Sequence, residues 1–291
     1  MNLSRICVGV DGSPASQSAL RWAAAEAAAH NAELHVIHAY EWRVAGDRVQ
    51  IPEGIADLAT SEAESVVETA VEQARAAAPG VNVRGEAVLN TAGDMLVKAS
   101  GLFDLTVLGS RGRGGFSSLL LGSVSQHVAT HAVGPVVVVR GRPDAVVGPI
   151  VVGVDGSPAS EHAVRLAFEE AAARGLGVLA VRVYVPRYAG LGVDISVPVE
   201  NPVVRREEEL SDLFDDIAPW REKYPDVSVR TVAVDGHTAD VLIGLSSSSQ
   251  LVVVGTRGHG GFAGLLLGSV GLQLLHHADC PVLVARAGET S

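Results

Sequence analysis

The sequence predicts an α/β protein made of two tandem open parallel-sheet domains, Rossmann-like, with five strands each. Three observations carry this. The phrase VGVDGSPAS stands at residues 8–16 and again, unchanged, at 152–160. Short apolar runs alternate with longer alanine-rich stretches in both halves, and a glycine-rich phrase closes the same part of each half. Several apolar runs are continuously hydrophobic, which is how strands covered on both faces of a parallel sheet look.

In the first half, ICVGV, ELHVIHA, VNVRGEAVL, DLTVLG and PVVVVR read as strands. Helices are expected between them near 14–29, 57–78, 92–100 and 122–132. The second half repeats the order with IVVGV, VLAVRVY, VSVRTVAV, QLVVVG and PVLVAR. Pro219 falls inside its long second helix and is expected to kink or break it, because proline lacks the amide hydrogen and its ring crowds the preceding turn. The early landmarks repeat at an offset of 144 residues and the later ones at 146, so order is kept through a tandem duplication. The boundary lies in RGRPDAVVGP at 140–149. This sets domains at 1–140 and 149–291 with a linker at 141–148.

Bulk properties narrow the function classes. At 291 residues, with 47% hydrophobic content and a mean hydropathy of +0.28, the chain supports two well-buried cores. A net charge of −11 and a pI near 5.3 disfavour a nucleic-acid partner, since phosphate backbones require a basic face. Cys7 and Cys280 lie in apolar runs without any paired-cysteine spacing, and read as buried thiols of a reducing compartment. No run reaches the roughly 18 uninterrupted apolar residues of a membrane span, and no leader-like apolar core opens the chain. The reading is a soluble cytoplasmic protein with no membrane partner.

The glycine-rich phrases are GSRGRGGFSSLLLGS at 109–123 and GTRGHGGFAGLLLGS at 255–269, identical at eleven of fifteen positions. Gly109, Gly112 and Gly122 recur as Gly255, Gly258 and Gly268 at the same internal spacing. In an open parallel sheet, ligands gather beyond the carboxyl ends of the strands where strand order reverses, and both the DGS and the glycine-rich segments are expected there. Gly122 and Gly268 are placed where the next helix begins, with backbone N–H groups that hold phosphate without basic side chains. The glycines are expected to allow close backbone approach and positive φ. Arg111 and Arg257 recur and could touch phosphate, whereas Arg113 becomes His259 in the second copy. A Walker A motif is absent and the dinucleotide fingerprint fails, because the glycines follow strand four and not strand one. Asp11 and Asp155 either cap the following helix or, in a functional role, contact ribose or a Mg2+ bridge.

With these residues in hand, the G-x2-G-x9-G-[ST] pattern completed by Ser123 and Ser269 resembles the ATP-binding branch of the universal stress proteins. The VGVDGS opening and CPVLVAR ending are similar to that family too. The resemblance covers nearly the whole chain and implies an adenine nucleotide alpha hydrolase-like fold. It also implies adenine near strands one and two and phosphates on the loop before the last helix. Carried over, it implicates Val10, Asp11, Gly12, Ser13, Ala39, Gly109, Arg111, Gly112, Gly122, Ser123 and Val124 in a first site. The second site is Val154, Asp155, Gly156, Ser157, Val183, Gly255, Arg257, Gly258, Gly268, Ser269 and Val270. The implied cofactor is ATP with Mg2+, and the partners are the adenine nucleotide and a second chain in a homodimer. Family members pair their last strands across a two-fold axis, an arrangement that a tandem chain satisfies internally.

Other candidates read more simply. His127 and His131 lie at i and i+4 on a predicted helix, but no third ligand accompanies them and no metal site is assigned. REEEL at 206–210 reads as a solvated helix face and WAAAEAAA at 22–29 as helix propensity with close packing. No catalytic signature places a general base beside the glycine-rich loops. The function expected is therefore a non-catalytic, nucleotide-dependent regulator in stress response or growth arrest. The alternative is a slow Mg-dependent ATPase or phosphotransferase.

Overall fold

The computed structural model describes residues 3–41, 53–112, 120–145, 147–185, 201–258 and 266–286. The first repeat runs β1 (Arg5–Gly9), α1 (Pro14–His30), β2 (Glu33–Tyr40), α2 (Glu53–Ala77), β3 (Val83–Leu89), α3 (Ala92–Ala99), β4 (Leu105–Gly109), α4 (Ser123–His131) and β5 (Val136–Val139). The second runs β6 (Ile150–Gly153), α5 (Pro158–Arg174), β7 (Val178–Tyr184), α6 (Pro202–Lys223), β8 (Val229–Asp235), α7 (Thr238–Ser246), β9 (Leu251–Gly255), α8 (Ser269–His277) and β10 (Val282–Ala285). Each expected helix and strand in these stretches is present, with ends shifted by a few residues.

Local chemistry sets the boundaries. Ser13 and Ser157 cap α1 and α5 by accepting from the N–H groups of Ser16 and Ser160, each at 3.2 Å, and Pro14 and Pro158 occupy the first turn where no donor is needed. Asn31 and Gly175 end the two helices in the left-handed conformation. Pro219 does not break α6, which continues to Lys223. The proline falls in the last turns, so the helix loses one backbone hydrogen bond close to where it ends anyway.

All ten strands join in one sheet, ordered β3-β2-β1-β4-β5-β10-β9-β6-β7-β8. Every pairing is parallel except β5 with β10, where Val136, Val137 and Val138 face Val284, Leu283 and Val282. The two repeats are thus fused edge to edge about a pseudo-two-fold axis. Alternate residues of β5 enter different cores: Val137 and Val139 pack with α1 and α5 residues such as Leu20 and Phe168, while Val136 and Val138 pack with α4 and α8 residues such as Val128 and Leu274. Both cores cross the seam. Cys7 and Cys280 are buried free thiols, pushed up to about 12 by burial.

Side chains also cross the seam. Arg140 Nη1 donates to the Leu274 carbonyl of α8 at 2.9 Å, and its equivalent Arg286 donates to the Ala129 and Thr130 carbonyls of α4 at 2.7 Å each. On the opposite face, Glu26 and His30 of α1 meet Glu170 and Arg174 of α5, all four side chains being buried or nearly so. Burial would raise the Glu26 carboxyl, but Arg174 holds it down at about 2. Burial and the Glu26 charge push Glu170 up to about 7. The two facing carboxylates outweigh burial at His30 and hold it at about 9.

Candidate functional site

Strand order reverses between β1 and β4 in the first repeat and between β6 and β9 in the second. The DGS turn and the glycine-rich loop leave the sheet at these two points, side by side. Gly12 and Gly156 adopt φ of +77° and +78°, a conformation that side chains other than glycine rarely accept. This lets the chain turn from the strand straight into its helix. Asp11 Oδ1 accepts the Ser13 N–H at 3.0 Å, and Asp155 Oδ1 accepts both the N–H (3.0 Å) and the hydroxyl (2.6 Å) of Ser157. The helix cap is the serine, so each aspartate braces the turn and turns its other oxygen outward.

That oxygen faces the glycine-rich loop. A Cβ on Gly112 would stand 2.6 Å from Asp11 Oδ2, and one on Gly258 would collide with Asp155 Oδ2. Gly109 and Gly255 lie against backbone: a Cβ there would meet Ala15 O and Ala159 O, each at 2.6 Å. None of the six motif glycines has positive φ. The expectation that they supply positive φ is therefore corrected: Gly109, Gly112, Gly255 and Gly258 are glycine because another segment occupies the side-chain space, whereas Gly122 and Gly268 have only their own loop nearby, at 3.4 Å.

A second correction concerns Gly122 and Gly268. Both are helix N-caps, but their N–H groups are already used, donating to Ser110 O and Thr256 O at 2.7 Å. The donors free to meet an anion belong to the first turns of α4 and α8, at Ser123, Val124 and their equivalents Ser269 and Val270. Ser13 Oγ reaches Arg111 O at 3.4 Å and Ser125 Oγ donates to Gly109 O at 2.6 Å, tying the loop's start to both neighbouring helices. Burial lowers the guanidinium pKa of Arg140, and the Arg111 charge adds to this. Arg257 does the same to Arg286, so each loop arginine lies within electrostatic reach of a seam arginine. Arg113 and His259 lie outside the described residues.

The second repeat closes these residues around one cavity of about 480 Å³. Val154, Asp155, Val183, Gly255, Arg257, Gly258, Gly268, Ser269 and Val270 line it, with Val181, Thr238 and Leu242 supplying further wall. Gly156 and Ser157 shape the turn beneath and are not in its wall. The first repeat is arranged differently. Ala39, Ser123 and Val124 line an open groove of about 960 Å³ with His38, Tyr40 and His127, while Val10 and Gly12 line a separate hollow of about 210 Å³ between α1 and α2. His38 Nδ1 lies 2.7 Å from the Val10 carbonyl, across the strand ends, where the second repeat has Arg182 turned to Glu209 and Asp216. Glu209 belongs to the REEEL stretch read as solvated, and its burial against Arg182 and Arg205 corrects that reading.

Against this geometry, the universal stress protein family model matches residues 2–140 and 147–286. The chain belongs to that family. A universal stress protein of Mycobacterium tuberculosis is 40% identical, the match covering 97% of this chain and 96% of that protein. One from Mycolicibacterium smegmatis is 36% identical over the same shares. The crystal structure of a universal stress protein from Archaeoglobus fulgidus aligns over 97% of this chain and 98% of its own with a TM-score of 0.72 at 19% identity, which shows the shared fold. Among the described residues of this universal stress protein, no helix is long and apolar enough to cross a membrane.

The His127 and His131 rings lie 4.4 Å apart on α4, as their spacing requires, but His131 Nδ1 sits 2.9 Å from the His127 carbonyl. What the sequence reading missed is the group Glu26, His30 and Glu170, whose ligand-type atoms lie within 4.8 Å of one another. The available signal was that Glu26 and Glu170, and likewise His30 and Arg174, occupy equivalent places in the two repeats.

Proposed function

We propose that this protein is an ATP-binding regulator of the universal stress type, with one adenine nucleotide site in each repeat. The observation that carries the reading is the second-repeat cavity. Its walls bring the first turn of α8, the glycine-rich loop and the DGS aspartate to one place at the strand-order reversal. The apolar wall of Val154, Val181, Val183 and Leu242 suits a flat base, and the amides of Ser269 and Val270 suit phosphate oxygens at the positive end of a helix. Asp155 Oδ2 is a hard oxygen donor facing the same space, which fits Mg2+ held jointly with phosphate. When bound, the ion would neutralise phosphate charge beside the carboxylate. The same placement follows for Asp11 in the first repeat.

Among the described residues of the cavity wall, no side chain is a histidine or a second carboxylate poised as a general base, and binding without turnover is the function proposed. A cytoplasmic location and a homodimer belong to the same proposal. Among the described residues, those of the second repeat line a single cavity and those of the first line two, and the second is taken as the tighter site. The test is calorimetric titration of ATP into nucleotide-stripped protein. We expect two unequal sites, with the tighter lost in Gly268→Val. Absence of binding overturns the reading. Turnover near about 1 per second or faster would instead support the ATPase alternative.

A further inference from the structure

We propose that Glu26, His30 and Glu170 form a binding site for one divalent cation of the zinc class, at the seam between the repeats. His30 Nε2 stands 3.0 Å from Glu26 Oε1 and 3.4 Å from Glu170 Oε1. Zinc with bonds of about 2.0–2.2 Å to oxygen and nitrogen holds its ligands about 3.3 Å apart, so the two histidine-to-carboxylate separations match edges of its tetrahedron, and all three ligand atoms lie within 4.8 Å of one another. Neither His30 Nε2 nor Glu26 Oε1 has a partner in hydrogen-bond geometry, although the Glu26 side chain is 2% exposed and that of His30 8%. His30 also stands in ion-pair contact with both carboxylates, so an imidazolium and a dication compete for the same oxygens.

The other carboxylate oxygens are taken up from outside. Arg174 donates to Glu26 Oε2 through Nη2, and its Nε stands 3.3 Å from Glu170 Oε2, at ion-pair distance but outside hydrogen-bond geometry, while its guanidinium lies 4.9 Å above the Trp22 ring. This is how a metal site is supported, with a second layer turning one oxygen of each carboxylate inward. Charge points the same way. Two carboxylates face one guanidinium, and His30 and Arg174 are the last residues of α1 and α5, whose carbonyl ends add roughly half a negative charge each. With the imidazole neutral, as a metal ligand must be, the sum is close to minus two, which a dication cancels, whereas the proton that otherwise charges His30 brings it only to about minus one. The site is also asymmetric in a way that only a duplicated chain permits. The position that gives a ligand in the first repeat, His30, gives the supporting cation in the second, Arg174.

The test uses Zn2+ alone, titrated calorimetrically near neutral pH into the full chain freed of nucleotide and affinity tag, in two buffers of different ionisation enthalpy. The expected result is one Zn2+ per chain, release of about one proton as the imidazole becomes a ligand, and a raised melting temperature. His30→Gln should weaken binding at least about tenfold. The His127→Gln, His131→Gln variant should bind as the parent does. X-ray absorption of the zinc-loaded parent, which requires no variant, should show nitrogen and oxygen ligands with one imidazole. Failure to retain zinc overturns the site, as does unchanged affinity in His30→Gln. Lost affinity in the His127 and His131 variant, or a shell with sulfur or two imidazoles, overturns it equally.

Discussion

Gly109 and Gly122 belong to one motif, yet a side chain would meet different things at each. At Gly109 a Cβ would lie 2.6 Å from the Ala15 carbonyl carbon and oxygen, with backbone on both sides and no flexible atom to move. Gly109→Ala is therefore expected to destabilise the fold by about 1–3 kcal/mol, read as a lowered urea midpoint. At Gly122 the nearest atoms are Arg111 Cα and Ser110 O at 3.4 Å, so a Cβ makes ordinary contact there and only the extra methyls of a larger side chain press on the loop. Gly122→Val with Gly268→Val should leave the fold largely intact by circular dichroism but weaken ATP binding at least about tenfold, with adenosine less affected. The glycine spacing was legible because it is local. The reason for Gly109 and Gly112 was not, since the atoms excluding a side chain come from Ala15 of α1 and from Asp11, about 100 residues away along the chain.

Elements are pinned at their ends. Ser13 and Ser157 each complete a helix start, and Ser13→Ala is expected to cost about 1 kcal/mol in thermal unfolding. Asp104 anchors β1 to the turn before β4 by accepting from Ser4 N and Ser4 Oγ at 2.8 Å and from Arg5 N at 2.9 Å. Burial raises its carboxyl, but these donors and the Arg5 charge outweigh it, and the pKa lies below the ordinary value. A depressed carboxyl stabilises the fold above its unfolded pKa and loses that contribution as pH falls through the folded one. Asp104→Asn should thus lower the urea midpoint at about pH 7, with the difference shrinking below about pH 4. An equal difference at both ends would refute the assignment. Element type was readable from apolar runs and alanine-rich stretches, because period and propensity are local. The passage of α6 through Pro219 was not, since its cost depends on how close the proline lies to a helix end that packing sets.

At the scale of the molecule, β5 and β10 close each other's edges, so among the described residues the sheet ends at β3 and β8. We expect light scattering to give a mass near 30.1 kDa or about twice that. Assemblies much larger than a tetramer would contradict the internal pairing, since an open edge recruits further chains. The reciprocal arginines Arg140 and Arg286 and the Glu26 cluster staple the same seam from opposite faces. WAAAEAAA at 22–29 reads as helix propensity with close packing, and nothing local in it reveals that its equivalent in the second repeat packs against it.

The sequence by itself determined the duplication, the order of strands and helices, the parallel sheet and the positions of the DGS and glycine-rich turns. Each of these depends on hydrophobic period, spacing or self-similarity, which are properties of neighbours along the chain. Tertiary structure alone decided which amides remain free at α4 and α8, why Gly109, Gly112 and their equivalents are small, and how the described residues of each repeat line its site. It alone placed Glu26 and His30 against Glu170 and Arg174. These depend on distances between residues far apart in the chain. Such distances are set by closure of the ten-stranded sheet about the pseudo-two-fold axis, where equivalent residues meet and small differences between the repeats become differences in chemistry.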